Sequence, residues 1–218
     1  MQTNPAAKRI LLYGDSLVYG KIPGALRYDS ATRFSWVMQH MLGDRYEIIE
    51  EWLRGRMLSG ENGFFPHRNG QEQFGPIFAS HAPVDIVIFF LWTNDCNAKS
   101  DKNYDDIAKA FDTYQQTMQR RCNHFKISNA KVLIICPPYI QEQYSYNSFG
   151  EIFKGSDKKV QTLIQNYIRY ATEHTIAYLD TSFLHPSTID GIHLDEKNNK
   201  ILGQKLAEKI TELVDTEQ

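Results

Sequence analysis

The sequence predicts an α/β fold in which a parallel sheet is wound by helices on both sides. Three observations carry this. Five short apolar runs, at 9–13, 46–49, 84–90, 131–136 and 176–179, punctuate the chain at strand length. Stretches with helical spacing lie between them, and strand-then-helix order throughout is the signature of crossover connections. The third and fourth runs are nearly continuous in Val, Ile, Leu and Phe, as strands covered on both faces are.

The elements follow in order. The first strand, 9–13, stops at Gly14-Asp15-Ser16, where alternation ceases and turn residues begin. Trp36, Val37, His40 and Met41 form a first helical stripe. After the second strand comes a long connection, 52–70, with Phe64 and Phe65. The third strand is followed by the stripe Ile107, Phe111, Tyr114 and Met118. A second long connection, 137–155, carries Tyr139, Tyr144, Tyr146, Phe149 and Phe153. Connections of that length and composition commonly line a pocket, and a flexible surface loop or a subunit contact is the alternative. Val160, Leu163, Ile164, Tyr167, Ile168 and Ala171 keep the cleanest helical spacing, and Leu202, Leu206, Ile210 and Leu213 close the chain behind Asp195 as N-cap. With no linker, repeat or low-complexity tract, one domain over 1–218 is expected, with 1–7 and 215–218 as flexible ends.

Composition narrows the function. A formal net charge of -2 gives no electrostatic reason to expect nucleic acid or an anionic membrane as partner. Three cysteines without CxxC pairing suit a reducing compartment. Residues 1–9 hold no apolar signal core, and no apolar run reaches the roughly 18 residues of a membrane span, so a cytoplasmic protein is expected. No His, Cys and carboxylate cluster has metal-ligand spacing, and no glycine-rich phosphate loop follows the first strand. No metal and no cofactor are expected.

In a parallel sheet the carboxyl ends of the strands share one edge, where ligands bind. Along that edge the sequence sets Ser16, then Arg54-Gly55-Arg56, then Thr93-Asn94-Asp95, then Asp190-Gly191-Ile192-His193. Acyl transfer needs such a set. Serine requires a base, histidine is the natural one near neutrality, and a carboxylate three residues earlier can fix its tautomer. The N–H groups of Ser16 and Gly55, with the Asn94 side chain, would serve an oxyanion. Asp15 and Asp95 read as partners that fix their own loops, and a salt bridge to Glu50 or Glu51 is the expectation for Arg54 and Arg56. Trp36 and Trp52 read as packing residues.

Gly14-Asp15-Ser16-Leu17, Gly55, Asn94-Asp95 and Asp190-Gly191-Ile192-His193 resemble the four sequence blocks of the SGNH (GDSL) hydrolases, over nearly the whole chain. Glu50-Glu51, Gly55-Arg56 and 190–199 are most similar to the arylesterase and acyltransferase branch. The resemblance implies a flavodoxin-like three-layer α/β/α sandwich with a five-stranded parallel sheet. It implies Ser16 as nucleophile, His193 as base, Asp190 as its orienter, and Ser16, Gly55 and Asn94 around the oxyanion. The expected activity is that of a serine esterase acting on a small-molecule ester, with transfer to an alcohol acceptor implied by the resemblance alone. A carbohydrate deacetylase or thioesterase would use the same residues in the same roles. A small-ligand-binding module of this fold is the alternative outside enzymes. A short acyl group is expected, because no lid-sized insertion is present. Relatives in this branch often form homo-oligomers, and the aromatic stretch from Pro137 is the candidate surface, although no stripe specifies a subunit number.

One position departs from the family pattern: Trp92 stands where glycine usually precedes the asparagine by two residues. Either that site needs positive φ and Trp92 is strained, or it accepts a side chain and Trp92 narrows the acyl pocket. The intact Thr93-Asn94-Asp95 favours the second. Trp92, Phe65 and Tyr139 are the expected pocket walls.

Overall fold

Of the two strands expected to be covered on both sides, the first is β3, Ile86–Phe90, and every residue of it is buried. Successive side chains of a strand leave it on opposite faces. The Phe89 ring accordingly meets Tyr114 at 4.7 Å and Phe74 at 5.3 Å, whereas Phe90 meets Phe34 at 5.7 Å. Burying an aromatic of this size contributes up to about 2–3 kcal/mol, and two faces of such contacts make β3 the centre of the core.

The structure, a computed structural model, describes residues 4–215. Around β3 lie β1 (Lys8–Gly14), β2 (Tyr46–Trp52), β4 (Lys131–Cys136) and β5 (Ala177–Asp180), all parallel in the order β2-β1-β3-β4-β5. Register pairs Gly14 with Trp52 on one side and Phe90 on the other. The strand order reverses between β1 and β3, which is where sheets of this order open a crevice beyond their carboxyl ends.

One helical layer joins α2 (Phe34–Leu42) to α7 (Glu196–Asp215). The other brings together α3 (Gly70–His81), α4 (Tyr104–Phe125) and α6 (Ser156–Glu173). Two shorter helices stand at the strand ends, α1 (Ser16–Tyr19) and α5 (Glu142–Phe149). The expected stripes of α4, α6 and α7 face inward, and Asp195 caps α7 by accepting from the Asn198 N–H at 2.8 Å.

The α2 stripe is displaced. Phe34, Met38 and Leu42 are buried, whereas Trp36 is 42% and Met41 50% exposed. Apolar residues occupy both sides of this helix, so spacing alone did not reveal which side α7 covers. Trp36 instead lies flat against the His40 ring.

Of the flexible ends expected at 1–7 and 215–218, residues 1–3 and 216–218 lie outside the described residues. Of the adjoining positions, Asn4 donates to the Asp44 carbonyl at 3.0 Å, Ala7 is buried, and Asp215 ends α7. No described helix is long and apolar enough to cross a membrane.

Candidate active site

Ser16 owes its position to Gly14 and Asp15. A Cβ on Gly14 would sit 2.2 Å from Val18 Cγ2 and 2.8 Å from the Phe90 carbonyl oxygen, so only glycine allows the chain to turn here against β3. The Gly14 carbonyl is fixed by the Leu53 N–H at 3.2 Å and by Arg56 Nη1 at 2.9 Å. Asp15 then caps α1 by accepting from the Leu17 N–H at 2.9 Å, leaving Ser16 as the first helical residue.

The histidine arrives on a turn wound around its own carboxylate. Asp190 Oδ1 accepts from the N–H groups of Ile192 at 3.1 Å and His193 at 2.9 Å, and Oδ2 faces His193 Nδ1 at 2.8 Å. Gly191, at φ +69°, makes the bend, and its N–H donates to the Ser187 carbonyl. Burial alone would raise the Asp190 carboxyl. Hydrogen bonds and charge from the His193 ring, with the two backbone donors, outweigh burial and hold it below the ordinary carboxylate range. An ionised Asp190 only accepts, so His193 carries its proton on Nδ1 and presents a lone pair at Nε2. That atom lies 2.9 Å from Ser16 Oγ.

Ser16, Gly55 and Asn94 line one cavity of about 320 Å³ together with His193 and Phe65. Among the described residues, the N–H groups of Ser16 and Gly55 donate to no protein acceptor, so both are available to a ligand. Asn94 differs. Its Nδ2 donates to Asp15 Oδ2 at 3.1 Å and to the Arg56 carbonyl at 3.0 Å, which engages both amide hydrogens. Burial is the main reason that the Asp15 carboxyl rises to about 7 and that of Asp95 to about 6. Asp95 holds its loop as expected, accepting from the Leu58 N–H at 2.8 Å.

Three expectations about neighbouring residues are corrected. Trp92 does not wall the cavity: it is fully buried in the core that β3 feeds, and its φ of 172° is ordinary extended backbone. Tyr139 is 42% exposed and lines a separate surface hollow with Phe183 and His185, because Ile140 takes the inward position beside it. Arg56 makes no salt bridge with Glu50 or Glu51. It is 3% exposed, bonds the carbonyls of Gly14 and Glu51, and lies 4.1 Å over the Tyr13 ring, while Glu50 pairs with Arg27 and Arg33 and Glu51 with His81. Arg54 likewise has no carboxylate partner among the described residues and faces the Tyr19 ring at 5.7 Å.

Sequence reasoning missed several walls of the cavity, notably Lys21, Arg68 and Ile152. Phe149 and Phe153, noted only as aromatics of a long connection, turn inward, with Phe149 5.9 Å from the His193 ring. Their spacing of four was the available signal. No described group of three or more His, Cys, Asp or Glu is arranged to hold a metal.

The family model described as GDSL-like lipase/acylhydrolase matches residues 10–206. The chain belongs to that family. Among solved structures, this family member is similar to the native M. smegmatis aryl esterase at 31% identity and a TM-score of 0.86, over 95% of this chain and 100% of that one. It is also similar to Est24, a carbohydrate acetylesterase from Sinorhizobium meliloti, at 29% identity and a TM-score of 0.84, over 94% and 99% of the two chains. The inhibitor-bound form of the M. smegmatis enzyme matches at 29% identity and a TM-score of 0.84, over 95% and 100%. No curated protein matches the chain significantly.

Proposed function

We propose that this carboxylic ester hydrolase works through an acyl-enzyme on Ser16 and acts on esters with short acyl groups. The observation that carries the mechanism is the continuous relay from Asp190 Oδ2 to His193 at 2.8 Å and from His193 Nε2 to Ser16 Oγ at 2.9 Å.

Ser16 Oγ attacks the acyl carbon as its proton passes to His193 Nε2. Asp190 stabilises the imidazolium and keeps the ring turned toward the nucleophile. The oxyanion is met by the N–H groups of Ser16 and Gly55. Asn94 joins them when one Nδ2 hydrogen turns from the Arg56 carbonyl to the oxyanion. Each such donor is worth about 3–4 kcal/mol where one has been removed. The intermediate collapses as the imidazolium returns its proton to the leaving alkoxide. Water, activated by the same nitrogen, then adds to the acyl carbon and releases the acid, restoring the Ser16 hydroxyl.

The short acyl group is supported by Phe149 and Phe153, which close the cavity on the histidine side. Cytoplasmic action fits the three cysteines, all free and buried.

The reading is tested with nitrophenyl esters from acetate to octanoate. Highest kcat/KM at acetate to butyrate, and a loss of at least a thousandfold in Ser16→Ala, are expected. A profile that rises toward octanoate would overturn the short acyl pocket, and equal rates in both proteins would overturn the mechanism.

A further inference from the structure

The cavity at Ser16 carries positive charge that the esterase chemistry does not use. Lys21, Arg54 and Arg68 all line it. Among the described residues, no carboxylate lies within ion-pair distance of any of the three side chains. Lys21 Nζ donates to the carbonyls of Ala25 and Ile22, and Arg68 to those of Arg54, Pro66 and His67. Glu61 reaches Arg68 only at its backbone N–H, at 3.4 Å. Asp190 is felt by Lys21, but its oxygens are taken by His193 and two backbone donors.

Lys21 and Arg54 also lie close enough to oppose each other. Partial burial, then the Arg54 guanidinium, push the Lys21 ammonium below its ordinary range. Elsewhere on this strand-end surface arginines are neutralised, as Arg27 and Arg33 are by Glu50. Like charges gathered beside a nucleophile, without a counter-ion from the chain, favour an anion delivered by the ligand. Trp52 and Phe65 line the same cavity and offer an apolar surface to the rest of it.

We propose that Lys21, Arg54 and Arg68 form an anion subsite, which makes the preferred substrate an ester that also carries a carboxylate on a compact apolar body. The proposal rests on the esterase reading above and adds the class of substrate. The planar Arg54 guanidinium can grip a carboxylate at two points, while Arg68, whose Nε and Nη1 hold backbone carbonyls, and the Lys21 ammonium add further positive charge. The carboxylate can sit on either side of the scissile bond, and matched substrates separate the two sources.

The test compares kcat/KM within two pairs at low salt. On the acyl side, 4-nitrophenyl hemisuccinate is set against its neutral methyl ester. On the alcohol side, 4-acetoxybenzoate is set against 4-acetoxybenzamide. The charged member is expected to win by at least tenfold in one pair. Raising the salt to 0.5 M, where screening shortens the reach of exposed charges, is expected to cut that advantage at least threefold. In Lys21→Gln/Arg54→Gln, whose folding is checked by its thermal midpoint, the ratio is expected to approach one. Equal or poorer turnover of both charged esters by native protein overturns the subsite while leaving the esterase reading intact. A preference that survives both salt and the double variant overturns it equally. If no ester is turned over and a fluorophosphonate fails to label Ser16, the esterase reading falls and the subsite with it.

Discussion

His193 Nε2 stands 2.9 Å from Ser16 Oγ although 177 positions separate the two residues. The contact exists because each residue is anchored by its own local turn at the carboxyl edge of the sheet. Ser16 depends on the Gly14 turn after β1, and His193 on the Asp190 turn before α7. Replacing Asp190 by Asn keeps an acceptor for the Ile192 and His193 N–H groups but allows the imidazole the wrong tautomer. A fall in kcat of about 10³–10⁴, with the thermal midpoint little changed, is the expected result in steady-state assays.

Gly191 is the hinge of that second anchor. A Cβ there would lie 2.2 Å from the Gln141 carbonyl oxygen, at a φ of +69° that side chains rarely adopt. Gly191→Ala is expected to cost about 2–4 kcal/mol in urea unfolding and to lower kcat at least tenfold by displacing His193. Unchanged values of both would show that the turn relaxes without cost.

Pocket shape and core packing give opposite expectations for two large side chains. Phe149→Ala removes a cavity wall, so the nitrophenyl ester profile shifts toward longer acyl groups. Trp92→Phe removes volume from the core, so the profile stays as it is while stability falls by about 2 kcal/mol. A shifted profile in Trp92→Phe would return that residue to the acyl pocket.

Two buried carboxyls fix the sign of the pH dependence of stability. Asp15 at about 7 and Asp95 at about 6 bind protons in the folded protein that the unfolded chain has already lost. Stability therefore declines as pH rises from about 4 toward 7. Asp190 acts in the other direction, with a contribution complete above its unfolded value of about 3.9 and lost as pH falls through its depressed folded value. Thermal midpoints measured from pH 4 to 7 are expected to decline less steeply in Asp15→Asn than in the native protein. Parallel slopes would mean that Asp15 titrates as it does in the unfolded chain.

The strands and the strand-end cluster were legible because each rests on local sequence. Apolar runs mark the strands, and in a parallel sheet everything just after a strand falls on one edge. What stayed hidden depends on partners far along the chain. Helix α3 escaped notice because Gly75 and Pro76 interrupt its pattern, although Phe74 and Phe78 are fully buried. Arg56 looks like a surface charge in sequence, and its burial is made tolerable by the Gly14 and Glu51 carbonyls, the Gln73 side-chain oxygen and the Tyr13 ring. Trp92 shows the same limit. Nothing in 92–95 tells whether the indole turns to the cavity or to the core, and the packing around β3 decides.

The central claim is that Ser16 carries the acyl group. Intact protein mass spectrometry after a brief mix with 4-nitrophenyl acetate, quenched in acid, tests it directly. One added acetyl group, mapped to the peptide containing Ser16 and missing from Ser16→Ala, is the predicted result. Acetylation at another residue, or turnover with no adduct alongside an undiminished rate in Ser16→Ala, would contradict it.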